Sequence, residues 1–252
     1  HDGAGYDVAL GAGNSEFKRS TIDINQPLED VGIPNAAFRL NAMWTDAAVP
    51  GRDVDEGSRW AVAPSIAFGI GQGTRLMANY SHLAQDNMPE YGLPWVPVNT
   101  NPDLAEYSNG QPPVDPSNFY GLRARDYEDT VTDLATVQVE HDFSPTSTIR
   151  NLTRYGTTMR DSVITAPRFA SVNTSTAINR QLQSRDMTDQ IVANQTTVTT
   201  RFNAARATHA LVTGVEIASE RSENYLRAGS PAPLAGLFNP NPDDPYLGPI
   251  TR

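Results

Sequence analysis

From Trp60 to Ile70 every second residue is apolar (Trp60, Val62, Pro64, Ile66, Phe68, Ile70), and the residues between them (Arg59, Ala61, Ala63, Ser65, Ala67, Gly69) are small or polar. A period of two belongs to a strand with one apolar side. The same pattern recurs along the chain. Tyr6, Val8 and Leu10 share a face, as do Ile22 and Ile24, and then Phe38, Leu40, Ala42 and Trp44. Leu76, Ala78 and Tyr80 oppose Arg75, Met77, Asn79 and Ser81 on a fifth strand. A sixth sets Val131, Ala135, Val137, Val139 and Phe143 against Thr136, Gln138, Glu140 and Asp142, with Asp133 and Leu134 breaking the alternation. Ile149 and Tyr155 oppose Arg150 and Arg154 on a seventh. A Thr-rich eighth runs from Val192 to Phe202, and a ninth carries His209, Leu211, Thr213, Val215 and Ile217. The pattern predicts an all-β chain of about nine strands.

Connections between these strands alternate in length. Gly71–Thr74, Ser144–Ser147 and Ala204–Ala207 are short, whereas Asp46–Ser58, Asp86–Thr130, Thr165–Asp186 and the stretch from Glu220 onward are long. Of 19 prolines, seven fall between Pro89 and Pro116 and six between Pro231 and Pro249, outside any hydrogen-bonded ladder; Pro64 is the exception. Short turns on one rim and long loops on the other mark a transmembrane barrel, whose strands cross the hydrocarbon in roughly 9–11 tilted residues. Trp44, Trp60, Tyr80, Phe143 and Tyr155, near strand ends, suit its interfacial aromatic girdles. The expected architecture is the N-terminal part of an antiparallel up-and-down β-barrel, an open sheet in this chain. The competing expectation is a soluble all-β ligand-binding module whose apolar faces turn inward onto a core.

Composition narrows the function. Mean hydropathy is −0.44 and no apolar run is long enough for a membrane-spanning helix, which leaves strands as the only way across. A net charge of −10 argues against nucleic acid as a partner. Absence of cysteine removes disulfides and thiolate metal sites. His1-Asp2-Gly3 does not begin a signal peptide, and the Asn239–Arg252 stretch ends without a closing strand, so a fragment of a longer protein is expected.

At Asn79–Pro97 (NYSHLAQDNMPEYGLPWVP) and Phe119–Asp129 (FYGLRARDYED) the sequence resembles TonB-dependent outer-membrane receptors, in particular the catecholate siderophore (Fiu-type) subfamily. His141-Asp-Phe-Ser-Pro145, Ile149–Tyr155 and the strand His209…Gly214-Val-Glu216 are similar to receptor barrels more generally. The resemblance implies a partial receptor barrel over residues 1–252, without the plug domain or the C-terminal strands of a plugged barrel of about 22 strands. It implies energy-coupled uptake of ferric catecholate siderophores across the bacterial outer membrane, with outer-membrane lipid around the barrel and the TonB–ExbB–ExbD complex acting through the absent plug. It implies no enzyme and no cofactor beyond the iron inside the transported siderophore. A TonB-dependent receptor for a different substrate is the other reading.

A ferric catecholate is anionic and rimmed by aromatic rings, so guanidinium groups and aromatic faces are the chemistry to look for. The long Asp86–Thr130 loop offers Tyr91, Trp95, Tyr120, Arg123, Arg125 and Tyr127; the alternative is that its aromatics, Tyr107 and Phe119 included, form the loop's own small core. Arg150 and Arg154 share a parity that turns both to the lumen if Ile149 and Tyr155 face lipid, where they would bind ligand or pair with carboxylates such as Glu140. No metal or catalytic site is expected. His1, His82, His141 and His209 are scattered, and Asn239–Asp244 reads as a solvated acidic loop before it reads as a calcium site. Asn151-Leu-Thr, Asn173-Thr-Ser and Asn194-Gln-Thr match a glycosylation pattern by chance.

Overall fold

The computed structural model describes residues 3–98, 101–171 and 174–252, so His1 and Asn173 lie outside the described residues. Nine strands form one antiparallel sheet in simple sequence order: β1 (Gly5–Ala12), β2 (Lys18–Pro27), β3 (Ala36–Ala48), β4 (Glu56–Phe68), β5 (Thr74–Met88), β6 (Tyr127–Ser144), β7 (Ser147–Phe169), β8 (Ala177–Ala204) and β9 (Ala207–Tyr225). Three two-residue strands follow: β10 (Ala228–Gly229), β11 (Ala235–Gly236), which pairs with the start of β8, and β12 (Ile250–Thr251), which pairs with β10.

Register carries one face across the whole sheet. Phe38, Ile66, Ala78, Val137, Thr153, Asn194 and Ile217 lie side by side on seven strands. On this face Leu10, Trp44, Trp60, Tyr80, Val137, Phe143, Tyr155, Val192, Val215 and Ile217 are all exposed. A soluble sandwich would cover such a face with a second sheet; among the described residues none lies on it, and the band of exposed apolar side chains is the lipid surface of a barrel wall. The other face carries Asp23, Arg39, Arg75, Glu140, Asp142, Arg150 and Arg154, the polar lining of a lumen.

Turn chemistry matches the rims. In the β4–β5 hairpin, Gly69 and Gly71 take positive φ; a Cβ on Gly69 would sit 2.0 Å from the Thr74 carbonyl oxygen, so only glycine fits. Ala205 and Arg206 both take positive φ in the two-residue β8–β9 turn, the left-handed pair that follows the twist of the strands. Pro64 finds its explanation in the ladders. It pairs with Leu40 on β3, but the β4–β5 register passes from Val62↔His82 to Ser65↔Asn79 and leaves positions 63 and 64 unpaired on that side.

One expected connection is corrected. Thr165–Asp186 is not a long loop: β7 continues to Phe169 and β8 begins at Ala177, so only 170–176 connects them. These strand ends rise above the membrane, where neither face needs to be apolar and the alternation fades. They are sandwiched all the same, since Ser162, Val163, Ile164, Thr165 and Ala166 are all buried. Among the described residues, the one close-packed core lies at this level. Val96, Leu104, Tyr120, Ile178, Ala235 and Leu237 form it, with Leu93, Tyr107, Val114 and Phe169 around them. Two elements meet there, the 89–126 loop and the 226–252 segment, laid on the tip of the β7–β8 hairpin.

Candidate ligand-recognition surface

Arginines hold the loop layer together. Arg180 on β8, its side chain wholly buried, donates from Nε to the Tyr120 carbonyl (3.0 Å), from Nη1 to Asp244 Oδ2 (2.8 Å) and the Pro233 carbonyl (3.3 Å), and from Nη2 to the Asn241 carbonyl (2.6 Å). Arg125, also buried, donates to Asp126 Oδ1 (2.8 Å), the Arg180 carbonyl (3.2 Å) and Thr165 Oγ1, while Asp126 Oδ2 accepts from the Thr165 amide at 2.9 Å. The guanidinium also lies 5.5 Å from the Tyr246 ring centre. Among these partners Tyr120, Thr165, Asp126 and Arg180 itself are buried, where polar groups need hydrogen bonds.

Arg52 joins the 49–55 loop to the 89–126 loop in the same way. It donates to Asp55 (3.3 Å), Glu90 and the carbonyls of Pro116 and Asn118. Burial pushes the Asp55 and Glu90 carboxyls above their ordinary range, only partly offset by Arg52. Burial also works against the charge of Arg52, but its carboxylate partners outweigh it and the guanidinium titrates above its usual value.

The foreseen site residues therefore separate. Tyr91 and Trp95 are exposed on the loop layer, the Trp95 Nε1 donating to Asn109 Oδ1 at 3.3 Å. Arg123 keeps about half of its side chain in solvent, 3.5 Å from Asp243. Tyr120 is buried and donates to the Leu237 carbonyl (2.5 Å); burial pushes its phenol pKa up. Arg125 is buried with its donors committed within the chain, and Tyr127 donates to Asp161 Oδ1 at 3.0 Å. Tyr120 thus packs in a core that the loop shares with β8 and the 226–252 segment, rather than in one of the loop's own, and Phe119 is buried as well.

Arg150 and Arg154 both lie on the lumenal face and are exposed, without an ion-pair partner among the described residues. Glu140, opposite Arg150, instead accepts from Arg75 Nε at 3.1 Å, and Arg75 also meets Asp142 at 2.6 Å. Arg160 pairs with Glu128 and Arg39 with Asp23 on the same face. The Asn239–Asp244 loop is held by arginine as well, Asp244 by Arg180 and Asp243 by Arg123. Among the described residues no group of acidic, histidine or cysteine side chains could hold a metal ion.

Sequence reading missed Arg52 and Arg180. Neither has a local signature: Arg180 sits in a polar stretch on a strand that shows no alternation, and only the tertiary fold brings Tyr120, Asn241 and Asp244 to it.

An up-and-down sheet apolar over one face, with tight turns on one rim and a pinned loop layer on the other, is a segment of an outer-membrane β-barrel wall. The chain is homologous over its length to part of the barrel of catecholate siderophore receptors. It is 35% identical over 260 residues to the catecholate siderophore receptor Fiu of Escherichia coli O157:H7, a match covering 99% of this chain and 33% of that protein. The probable TonB-dependent receptor BfrD of Bordetella pertussis is 30% identical over 264 residues, 98% of this chain and 34% of that protein. The crystal structure of the ferric-catecholate import receptor Fiu from E. coli K12 in its open form superposes with a TM-score of 0.86 at 32% identity, over 100% of this chain and 39% of that one. No protein-family model matches the chain. The chain spans about a third of the length of the curated relatives it matches. Its homologues are receptors rather than enzymes, and the barrel fold places it in the outer membrane.

Proposed function

We propose that the chain is the wall segment and part of the outer recognition layer of an energy-coupled receptor that takes up ferric catecholate siderophores. The observation that carries this reading is similarity to Fiu across 99% of the chain, loop layer included. The 89–126 loop presents Tyr91 and Trp95 to solvent for stacking on catechol rings, and Arg123 offers a guanidinium to the anionic centre once it leaves Asp243. Arg150 and Arg154 extend positive charge down the lumenal wall beneath. Tyr120, Arg125 and Tyr127 serve from behind, fixing the loop that carries the exposed groups. In the whole receptor a plug would couple uptake to the TonB–ExbB–ExbD complex, and outer-membrane lipid would cover the apolar face.

The test is a Trp95→Ala/Arg123→Ala variant of the whole receptor. A charge-assisted contact contributes roughly 1.5–3 kcal/mol, so ferric-catecholate affinity should fall by well over tenfold with membrane insertion unchanged. Unaltered catecholate binding would move the recognition surface elsewhere. If the unaltered receptor binds a different siderophore class and ignores catecholates, it serves another substrate.

A further inference from the structure

Four polar side chains lie in the middle of the lipid-facing band. On β7 and β8, Asn151 stands opposite Thr196 and Thr153 opposite Asn194. Their row neighbours are Val139 and Val137 on β6 and Val215 and Ile217 on β9, with Tyr155 and Val192 above and Ile149 and Val198 below. Hydrocarbon offers these groups no partner, and they satisfy one another. Asn151 Nδ2 donates to Asn194 Oδ1 (3.0 Å) and Thr196 Oγ1 (2.8 Å); Asn194 Nδ2 donates to Asn151 Oδ1 (3.1 Å) and Thr153 Oγ1 (2.7 Å); Thr153 Oγ1 donates to Asn151 Oδ1 (3.4 Å). All four amide protons are used within the tetrad, so it calls for no external ligand.

A comparable group spans β5 and β6. Asp133 faces the lipid side, accepting from the Tyr80 hydroxyl and lying 2.8 Å from His82 Nδ1, with the Trp60 ring 4.6 Å from that of His82 and tilted by 40°. These two seams share a feature of the chain. Strands β6–β7 and β8–β9 are joined by two-residue turns, which fix their register directly. Strands β5–β6 and β7–β8 are joined by 89–126 and 170–176, which do not. Among the described residues, the seams with two-residue turns carry lipid-side side-chain hydrogen bonds only at their ends, from His209 Nε2 to the Ala204 carbonyl beside the β8–β9 turn and from Tyr127 to Asp161 above the aromatic girdle.

Alternation cannot replace the missing turn constraint. A slip of two residues keeps every side chain on its own face, and the Thr-rich β8, with Thr196, Thr197, Thr199 and Thr200, gives little apolar contrast to oppose it. In the native register each amide meets both the other amide and a hydroxyl. Moved two residues one way, Asn151 would face Val198 and Asn194 would face Tyr155. Moved the other way, Thr153 would face Val192 and Thr196 would face Ile149.

We propose that the Asn151–Thr153–Asn194–Thr196 tetrad is a register clasp, setting the pairing of the β7–β8 hairpin where its connecting loop does not, as the Tyr80–His82–Asp133 group does for β5–β6. The consequence reaches the recognition layer, because a slip on β8 would carry Arg180 away from Thr165 and Arg125 and unpin the loops. The proposal does not depend on which ligand the receptor takes.

Because the chain holds no cysteine, register can be read by oxidative cross-linking in the whole receptor inserted in lipid vesicles. A Thr157→Cys/Gln190→Cys pair reports the native register; Thr157→Cys/Thr188→Cys and Thr157→Cys/Val192→Cys report the two slipped ones. With the tetrad intact only the native pair should cross-link. In an Asn151→Val/Asn194→Val background, which hydrophobicity alone would favour in lipid, the slipped pairs should rise at least tenfold relative to the native pair. Exclusive native cross-linking in that background overturns the proposal. If that variant does not insert, Thr153→Val/Thr196→Val removes the hydroxyls and keeps the amides, and slipped pairs should rise at least threefold; native-only cross-linking there overturns it equally.

Discussion

Replacing Arg180 by methionine keeps the buried volume and removes every donor. The side chain has no solvent exposure, and its guanidinium satisfies the carbonyls of Tyr120, Pro233 and Asn241 together with the Asp244 carboxylate. Orphaning buried acceptors costs about 1–3 kcal/mol each, and breaking a buried ion pair about 3–5 kcal/mol. These costs do not add, because the loops can open and hydrate the orphaned groups. The loss is therefore set by opening of the loop layer, about 3–5 kcal/mol. At 1.4 kcal/mol per tenfold, amide protection in 116–126 and 233–246 should fall by roughly a hundred- to several-thousand-fold. The ladders of β1–β5 share no atom with this cluster and should keep their protection. Hydrogen exchange with mass analysis of the detergent-folded receptor reads both regions at once. Arg180→Met/Asp244→Ala, which also removes the stranded carboxylate, should recover part of the loss. Protection in the loop layer within threefold of the unaltered protein, or an equal loss in β1–β5, would refute the reasoning.

Two further outcomes follow from charge. Asp55 and Glu90 have folded pKa values above their unfolded ones, so the folded layer binds protons more tightly; their contribution is fullest at low pH and declines as pH rises through the folded values. Protease resistance of the 49–55 and 89–126 loops should thus hold or increase between pH 7 and about pH 5, and a loss over that interval would contradict the assignment. On the lipid-side face above the aromatic girdle, Asp86, Asp129 and Asp161 lie directly opposite one another on β5, β6 and β7, with Arg227 pairing to Asp161 but no cation on Asp86 or Asp129 among the described residues. Asp129→Asn should therefore stabilise the sheet, by about 0.2–1 kcal/mol in urea unfolding; destabilisation would show that Asp129 has a partner.

Alternation of side chains was enough to read the strands, their order and their lipid face, because hydrocarbon imposes one requirement on every second residue and nothing else satisfies it. The same rule stops at the membrane surface. Beyond Tyr155 the strand β7 runs on to Phe169, and from Ser162 to Ala166 both of its faces are buried, which no two-residue period marks. Aromatics and arginines in the 89–126 loop were legible as candidate ligand chemistry, yet their composition is the same whether they face a ligand or a core. Arg123 and Arg125, two residues apart, end on opposite sides of that divide: one half in solvent, the other buried on Asp126 and Thr165. Only the tertiary structure could decide it, since the partners that bury Arg125 and Arg180 come from segments distant in the chain, and a side chain's environment is set by what the fold brings to it.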